Sequence, residues 1–342
     1  MNVISSNVVR VAEAAASSDA LSTSLSQRLP FSVAGDVRVV GAVWMLSSAI
    51  LTTFSTTKYL KYNGKDQGPS LFKHFNRPRP TLLTVSRFGG SLLLGLLLHP
   101  NLRILERFRD SMHALPDFFL PAVFLFIANY SNTVSLNRIG ISLTYTSKCG
   151  IPLITVLLTL LIEGRQAMPS TAALASLIPI ALGIASASWN SPTFEKLGFL
   201  AAMISCTAQS LLNVTSKRAI SKTCITGSEA QRAMVAVAFV ISIMFSLVQS
   251  KHSEASKDGI VHSPDWLLGM AVASYHVEYV SSFMFVKLVN PITYGACDAI
   301  RRLGIIVSGR CMFGGAPFTR LNLLGIALSL LGALLYTIAS NR

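Results

Sequence analysis

Apolar blocks of nearly membrane-crossing length recur along this chain, and no other feature constrains its fold as tightly. A helix needs about 20 apolar residues to cross a bilayer. Ten candidate helices are predicted, over residues 38–60, 80–99, 117–136, 140–162, 171–189, 196–220, 231–249, 266–288, 292–313 and 321–340. So many long blocks exceed what one water-soluble core can bury. Apolar positions do not alternate, and barrel strands would be shorter, so helices must satisfy the backbone in lipid. Only 13% of residues are charged, against about 25% in soluble domains. The expected fold is therefore all-α: a polytopic membrane protein of about ten transmembrane helices.

Proline chemistry supports the divisions. Pro116, Pro169, Pro192 and Pro264 stand near block ends, where a missing N–H costs least. Pro152 and Pro179 fall inside blocks and are expected to kink them. The fourth and ninth blocks are short or interrupted by glycine. Residues 1–36 are Ser- and Ala-rich and read as a disordered tail before a transmembrane domain over 37–340. Glu13 and Asp19 are unlike a transit peptide, so a Golgi or ER membrane is favoured, with a plastid envelope as the alternative.

The net charge of +14 would suggest nucleic acid in a soluble chain. Here much of it lies in loops such as 58–80, where it meets anionic headgroups, and no nucleic-acid partner is expected. Cys149, Cys206, Cys224, Cys297 and Cys311 form no ligand or disulfide spacing and read as small apolar fillers, so no metal is expected. No Gly-rich phosphate loop, GxSxG or HExxH is present, and nothing supports an enzyme or an organic cofactor.

The chain echoes itself. "SLIPIALGIASAS" (176–188) aligns with "GIALSLLGALLYT" (325–337) without a gap, and "SLTYTSKCGIPLITVLL" (142–158) resembles "PITYGACDAIRRLGIIV" (291–307). Each of the latter has a Thr-Tyr pair, at Tyr145 and Tyr294, then a basic residue. The reading is two five-helix repeats, about 37–190 and 195–340, inserted with opposite topology so that matching helices share a centre.

The fourth and ninth helices then offer Lys148, Arg301 and Arg302 near the midplane. Ions at that depth usually face a wet cavity and mark a substrate path. The structural alternative is that Asp298, three and four residues before the arginines, pairs with either. It would neutralise only one, and Lys148 has no acid near it in its helix. Consecutive arginines sit about 100° apart, so one is expected to head the cavity and the other to be steered by Asp298. Two guanidinium forks and an ammonium suit a phosphate. Arg87, near the start of the second helix, is expected to snorkel to the interface rather than line the cavity mouth, and Lys58 to do the same. Glu278 can pair with an arginine, bond a sugar hydroxyl or carry a proton, but His276 does not share its helix face.

These residues resemble the triose-phosphate/phosphate translocator family of the drug/metabolite transporter superfamily, which also holds nucleotide-sugar transporters. The resemblance covers about residues 38–340 and rests on 132–164, 198–220 and 290–309. It implies that Lys148, Arg301 and Arg302 bind the substrate's phosphate. Against the members that carry three-carbon phosphates, Asn129 and Asn132 replace a histidine and a threonine, Glu278 with Tyr279 beside it replaces a tyrosine, and Leu212 replaces an arginine. The expected site is thus Lys148, Arg301, Arg302, Asn129, Asn132, Glu278, Tyr279, Asp298, Tyr145 and Tyr294. The expected function is antiport of a phosphorylated sugar or nucleotide sugar against phosphate or a nucleotide monophosphate. The rivals are a proton-coupled exporter using Glu278 and a transport-inactive scaffold.

Overall fold

The structure is a computed structural model that describes residues 37–62, 79–97, 115–163, 169–188, 194–223, 227–253, 264–288, 291–314 and 319–340. The tail expected to residue 36 lies outside the described residues. Among the described residues the chain is helical, with α1 Val37–Leu60, α2 Arg79–Leu97, α3 Leu115–Lys148, α4 Ile151–Glu163, α5 Thr171–Ser188, α6 Lys196–Thr223, α7 Gly227–Ser253, α8 Asp265–Leu288, α9 Pro291–Phe313 and α10 Arg320–Ser340. Five stretches among the described residues are long and apolar enough to cross a membrane: Val37–Leu60, Pro116–Lys148, Lys196–Ser216, Arg232–Gln249 and Arg320–Ala339.

The molecule is apolar outside and polar within. Leu97, Leu161 and Leu324 project outward, while Arg87, Arg302 and many hydroxyl side chains are buried. A water-soluble protein shows the reverse, and this distribution suits a hydrocarbon surround.

Three interruptions position the interior polar groups. α1 passes through a π turn at Ser47–Thr52, where the Thr53 hydroxyl bonds back to the Ser48 carbonyl at 2.8 Å. Such a turn inserts one residue and shifts the helix face. α3 breaks at Gly140, whose φ of 77° and ψ of −178° suit only glycine. Residues 115–139 and 141–148 therefore run in different directions, so the third predicted helix ends close to its expected boundary. A second break follows Lys148. The N–H that would bond the Lys148 carbonyl belongs to position 152, and Pro152 has none. Pro152 thus stands in the first turn of α4, where it is tolerated, rather than kinking a continuous helix as expected. Pro179 does lie inside α5. The ninth helix, expected to be interrupted, is continuous over Pro291–Phe313.

Packing is closest where side chains are smallest. α5 and α10 run antiparallel: Gly332 meets Ile180 and Ser176, while Gly183 meets Ser329 and Gly325. A Cβ built on Gly183 would stand 2.5 Å from the Ser329 nitrogen, and one on Gly325 would stand 2.4 Å from the Ala187 nitrogen. Backbones this close leave no room for any larger residue. α6 lies along α3, and an aromatic cluster of Phe88, Phe118, Phe126 and Tyr275 joins α2, α3 and α8 beside α7.

Candidate functional site

Seven helices wall a central cavity of about 270 Å³. Helical periodicity decides which residues reach it. On α8, Tyr275, Glu278, Tyr279 and Ser282 occupy one face. His276 points the other way, to the Ser91 hydroxyl at 3.1 Å, as its offset from Glu278 required. On α3, Leu125, Asn129, Asn132 and Leu136 form a second face, and past the Gly140 break Tyr145 and Lys148 reach the cavity. α9 contributes Asp298, Arg301 and Arg302.

Nine of the ten expected residues therefore line one space. Tyr294 lies on α9, but its side chain is outside the described residues.

The charged groups form a connected set. Asp298 Oδ1 accepts from Arg301 Nε at 3.1 Å and Nη2 at 2.8 Å, while Oδ2 accepts from Arg302 Nη2 at 2.5 Å. One carboxylate thus holds both arginines, one per oxygen, instead of steering a single one. Its single negative charge still offsets only one of them, but its two oxygens accept separate forks, so both arginines are bonded to it. Arg301 Nη1 also donates to Glu278 Oε1 at 2.8 Å and to the Ser48 hydroxyl at 2.7 Å, and Ser48 donates on to Glu278 at 2.8 Å. The Arg301 guanidinium lies 5.1 Å from the centre of the Trp44 ring. Glu278 is thus an ion-pair partner of Arg301.

Arg302 Nη1 donates to the Lys148 carbonyl at 2.6 Å. This is the carbonyl that Pro152 leaves without a helical partner. The proline's missing donor thereby ties α9 to the end of α3. The Lys148 ammonium lies 5.5 Å from the centre of the Tyr145 ring, and no described carboxylate stands within ion-pair distance of it.

Arg87 corrects its expected place. It is only 6% exposed and lines the cavity, donating to the Thr56 hydroxyl and lying 5.2 Å from the centre of the Tyr275 ring. Arg87 lies about two turns into α2, too far from the Arg79 end for its head to reach the interface. Arg79 occupies that end instead, bonding the Leu60 carbonyl at 2.9 Å. Lys58 is exposed, as expected.

Several cavity residues were not among the expected site residues. Thr52, Thr53, Thr56 and Thr57 of α1 repeat at helical spacing, a signal that "TTFSTT" carries on its face. Gln209 and Asn213 are one turn apart on α6 and bond each other at 3.3 Å. Trp44 and Tyr275 gave no signal distinct from that of core aromatics. Leu212, at the departure from an arginine, packs into the aromatic cluster instead.

Four buried polar atoms on the cavity wall have no hydrogen-bond partner: Thr52 Oγ1, Arg87 Nε, Asn132 Oδ1 and Tyr275 Oη. Unsatisfied buried polar groups are rare and require a reason. A polar ligand supplies one.

Residues 68–337 match the model of a family described as the Triose-phosphate Transporter family. Phosphoenolpyruvate/phosphate translocator 2, chloroplastic, of Arabidopsis thaliana is 26% identical over 278 residues, or 77% of this chain and 70% of that protein. Glucose-6-phosphate/phosphate translocator 1, chloroplastic, of the same species is 28% identical over 269 residues, 76% and 68% of the two chains. Xylulose 5-phosphate/phosphate translocator, chloroplastic, also of Arabidopsis thaliana, is 25% identical over 293 residues, 80% and 67% of the two.

Proposed function

Since the chain belongs to the Triose-phosphate Transporter family, we propose that it is an integral membrane antiporter that exchanges a small phosphorylated metabolite for inorganic phosphate. The names of its relatives, each a translocator of a phosphorylated compound and phosphate, support this reading. The observation that carries it is the charge of the cavity. Four cations, Arg87, Lys148, Arg301 and Arg302, face two carboxylates, Glu278 and Asp298, leaving a formal surplus of two positive charges.

That surplus sets the mechanism. Alternating access passes through a state closed to both sides. Closing over unbalanced ions costs several kcal/mol each in lost hydration, of which an oppositely charged ligand returns a large part. Phosphate carries about −1.5 to −2 at neutral pH, which matches the surplus. The loaded carrier therefore closes and turns, while the empty one does not, and exchange needs no coupling ion. Lys148 supplies the point charge and Arg302 and Arg301 the forks, with Asp298 fixing both. Asn129, Asn132, Tyr145 and Tyr279 stand where a carbon skeleton would lie, and Tyr294 belongs to the same proposed set.

A ten-span arrangement of two inverted repeats suits this mechanism. The gapless match of 176–188 with 325–337 pairs Gly183 with Gly332 and Ile180 with Ser329. Exchanging each residue for its counterpart turns the Gly183–Ser329 contact into the observed Gly332–Ile180 contact. A two-fold relation leaves that pattern, and the antiparallel course of α5 and α10 agrees with opposite insertion.

The cavity is slightly smaller than the roughly 300–1,000 Å³ of drug-sized ligand sites, which favours sugar phosphates over nucleotide sugars. The chloroplastic relatives support a plastid envelope rather than the Golgi or ER membrane suggested by the short tail. Glu278, bonded to Arg301 and Ser48, is engaged where a proton carrier would need to be released.

Proteoliposome exchange tests the reading. Vesicles loaded with phosphate should take up labelled phosphate, and empty vesicles should not. Brisk uptake into empty vesicles would refute obligate exchange.

A further inference from the structure

Glu278 holds a place that phosphate also needs. Arg301 donates through Nε and Nη2 to Asp298, and through Nη1 to Ser48 and Glu278. The Nη1 edge can turn to a phosphate only when the Glu278 carboxylate leaves it.

A second place stands ready for that carboxylate. Arg87 is a nine-tenths buried guanidinium whose partners are a hydroxyl and a ring face, from Thr56 and Tyr275. No described carboxylate lies within ion-pair distance of it. Such a charge is costly until something supplies a counter-ion. Three of the four unpartnered cavity atoms belong with this contact. They are Arg87 Nε, the Oη of the Tyr275 ring that the guanidinium lies against, and Thr52 Oγ1, one turn before Thr56. All three can donate, so they call for an acceptor such as a carboxylate. Glu278 stands three residues from Tyr275 on the same face of α8, and its charge acts on Arg87. On α1, Ser48, which donates to Glu278, precedes Thr52 by about one turn.

We propose that Glu278 is an internal counter-ion with two positions, on Arg301 and Ser48 in the empty cavity and on Arg87, Tyr275 and Thr52 once phosphate is bound. This rests on the phosphate-exchange reading and deepens it. Charge favours the transfer. With Glu278 on Arg301, the surplus of two is divided: one positive charge stays on Arg87, and one is left among Lys148, Arg301 and Arg302 after both carboxylates are counted. With Glu278 on Arg87, that pair is neutral. Lys148, Arg301 and Arg302 against Asp298 then carry the whole surplus of two, which phosphate offsets in one place. The carboxylate stays ionised throughout, and no proton moves. The transfer also tightens coupling, because Arg87 is buried without a counter-ion only in the empty carrier.

Tyr275→Phe tests the second position without altering any charge. In phosphate-loaded vesicles, the external labelled phosphate needed for half-maximal exchange should rise about ten-fold, the worth of one hydrogen bond to a carboxylate. Glu278→Gln should lower that concentration several-fold, since Arg301 no longer has a competing carboxylate. It should also slow maximal exchange, since the loaded cavity then closes over an unbalanced Arg87. Tyr275→Phe added to Glu278→Gln should change the half-saturating concentration by less than about two-fold, because Tyr275 acts only through Glu278. Arg87→Gln should raise it at least about ten-fold, and adding Glu278→Gln should bring it back to within about three-fold of wild type, since the surplus of two returns. A Tyr275→Phe loss that persists without Glu278 would mean that the hydroxyl touches the ligand itself, and overturns the transfer. So does a Tyr275→Phe protein indistinguishable from wild type. Absence of phosphate exchange in the wild-type protein would instead overturn the reading on which the transfer rests. If Arg87→Gln does not fold, the Tyr275 and Glu278 variants still decide.

Discussion

The two copies of the Thr-Tyr-to-basic stretch began as similar sequences and reached different structures. In the gapless match of 142–158 with 291–307, Pro152 stands where the second copy has Arg301. The proline ends α3 and leaves the Lys148 carbonyl without a helical donor, whereas the second copy continues unbroken as α9. The arginine next to that position, Arg302, then donates to the carbonyl that the proline freed. Charge divides in the same way. In the second copy both arginines are held by Asp298, and Arg301 also by Glu278. In the first, the Lys148 ammonium lies against the Tyr145 ring, and no described carboxylate stands within ion-pair distance of it. The difference separates two roles that the sequence presents as one basic triad. The arginines are forks fixed by a shared carboxylate, and the lysine is the one of the three with no described carboxylate within ion-pair distance, the charge that the proposed function assigns to a ligand.

The comparison can be broken most forcefully at Asp298. Asp298→Ala should leave two guanidiniums without their shared carboxylate and cost about 3 kcal/mol of stability. Thermal unfolding in detergent would show it as a lowered Tm, and exchange should be lost with it. A Tm unchanged from wild type would mean that the arginines are held by something else.

Lys148→Ala should separate the two roles. With no carboxylate to strand, its unfolding temperature should stay close to wild type, while phosphate exchange falls by about 100-fold, the order expected for removing a desolvated charge from its partner. Lys148→Arg should recover part of the exchange. A stability loss as large as that of Asp298→Ala would collapse the distinction between the copies.

Pro152→Ala gives the smallest effect and the sharpest test of the tie. It restores an N–H that competes with Arg302 for the Lys148 carbonyl. Exchange should fall by a few-fold, consistent with weakening one hydrogen bond to a charged donor, and the cause should be traceable, because Arg302→Lys in the same background should add little further loss.

Helix positions were legible because apolar periodicity and length are local properties. All ten expected helices have counterparts among the described elements, most within a few residues. The clustering of Lys148, Arg301 and Arg302 was legible too, since ions have few tolerable places in lipid. Three things were not. Arg87 reads from sequence as a residue near a helix start, and only the packing of α1 and α8 against α2 shows it buried. Asp298 reads as an acid for one arginine, and its use of both oxygens depends on side-chain geometry. The threonines of α1 face the cavity beyond a π turn whose presence nothing in the local pattern announced.

Sequence alone determined that this chain forms apolar helices and that its basic residues must gather away from lipid, because hydration and backbone satisfaction act on each segment separately. Which cation is paired with a carboxylate and which is not was decided only by tertiary structure. That outcome depends on which carboxylates and carbonyls come within hydrogen-bond reach, and helices far apart in the chain bring them there.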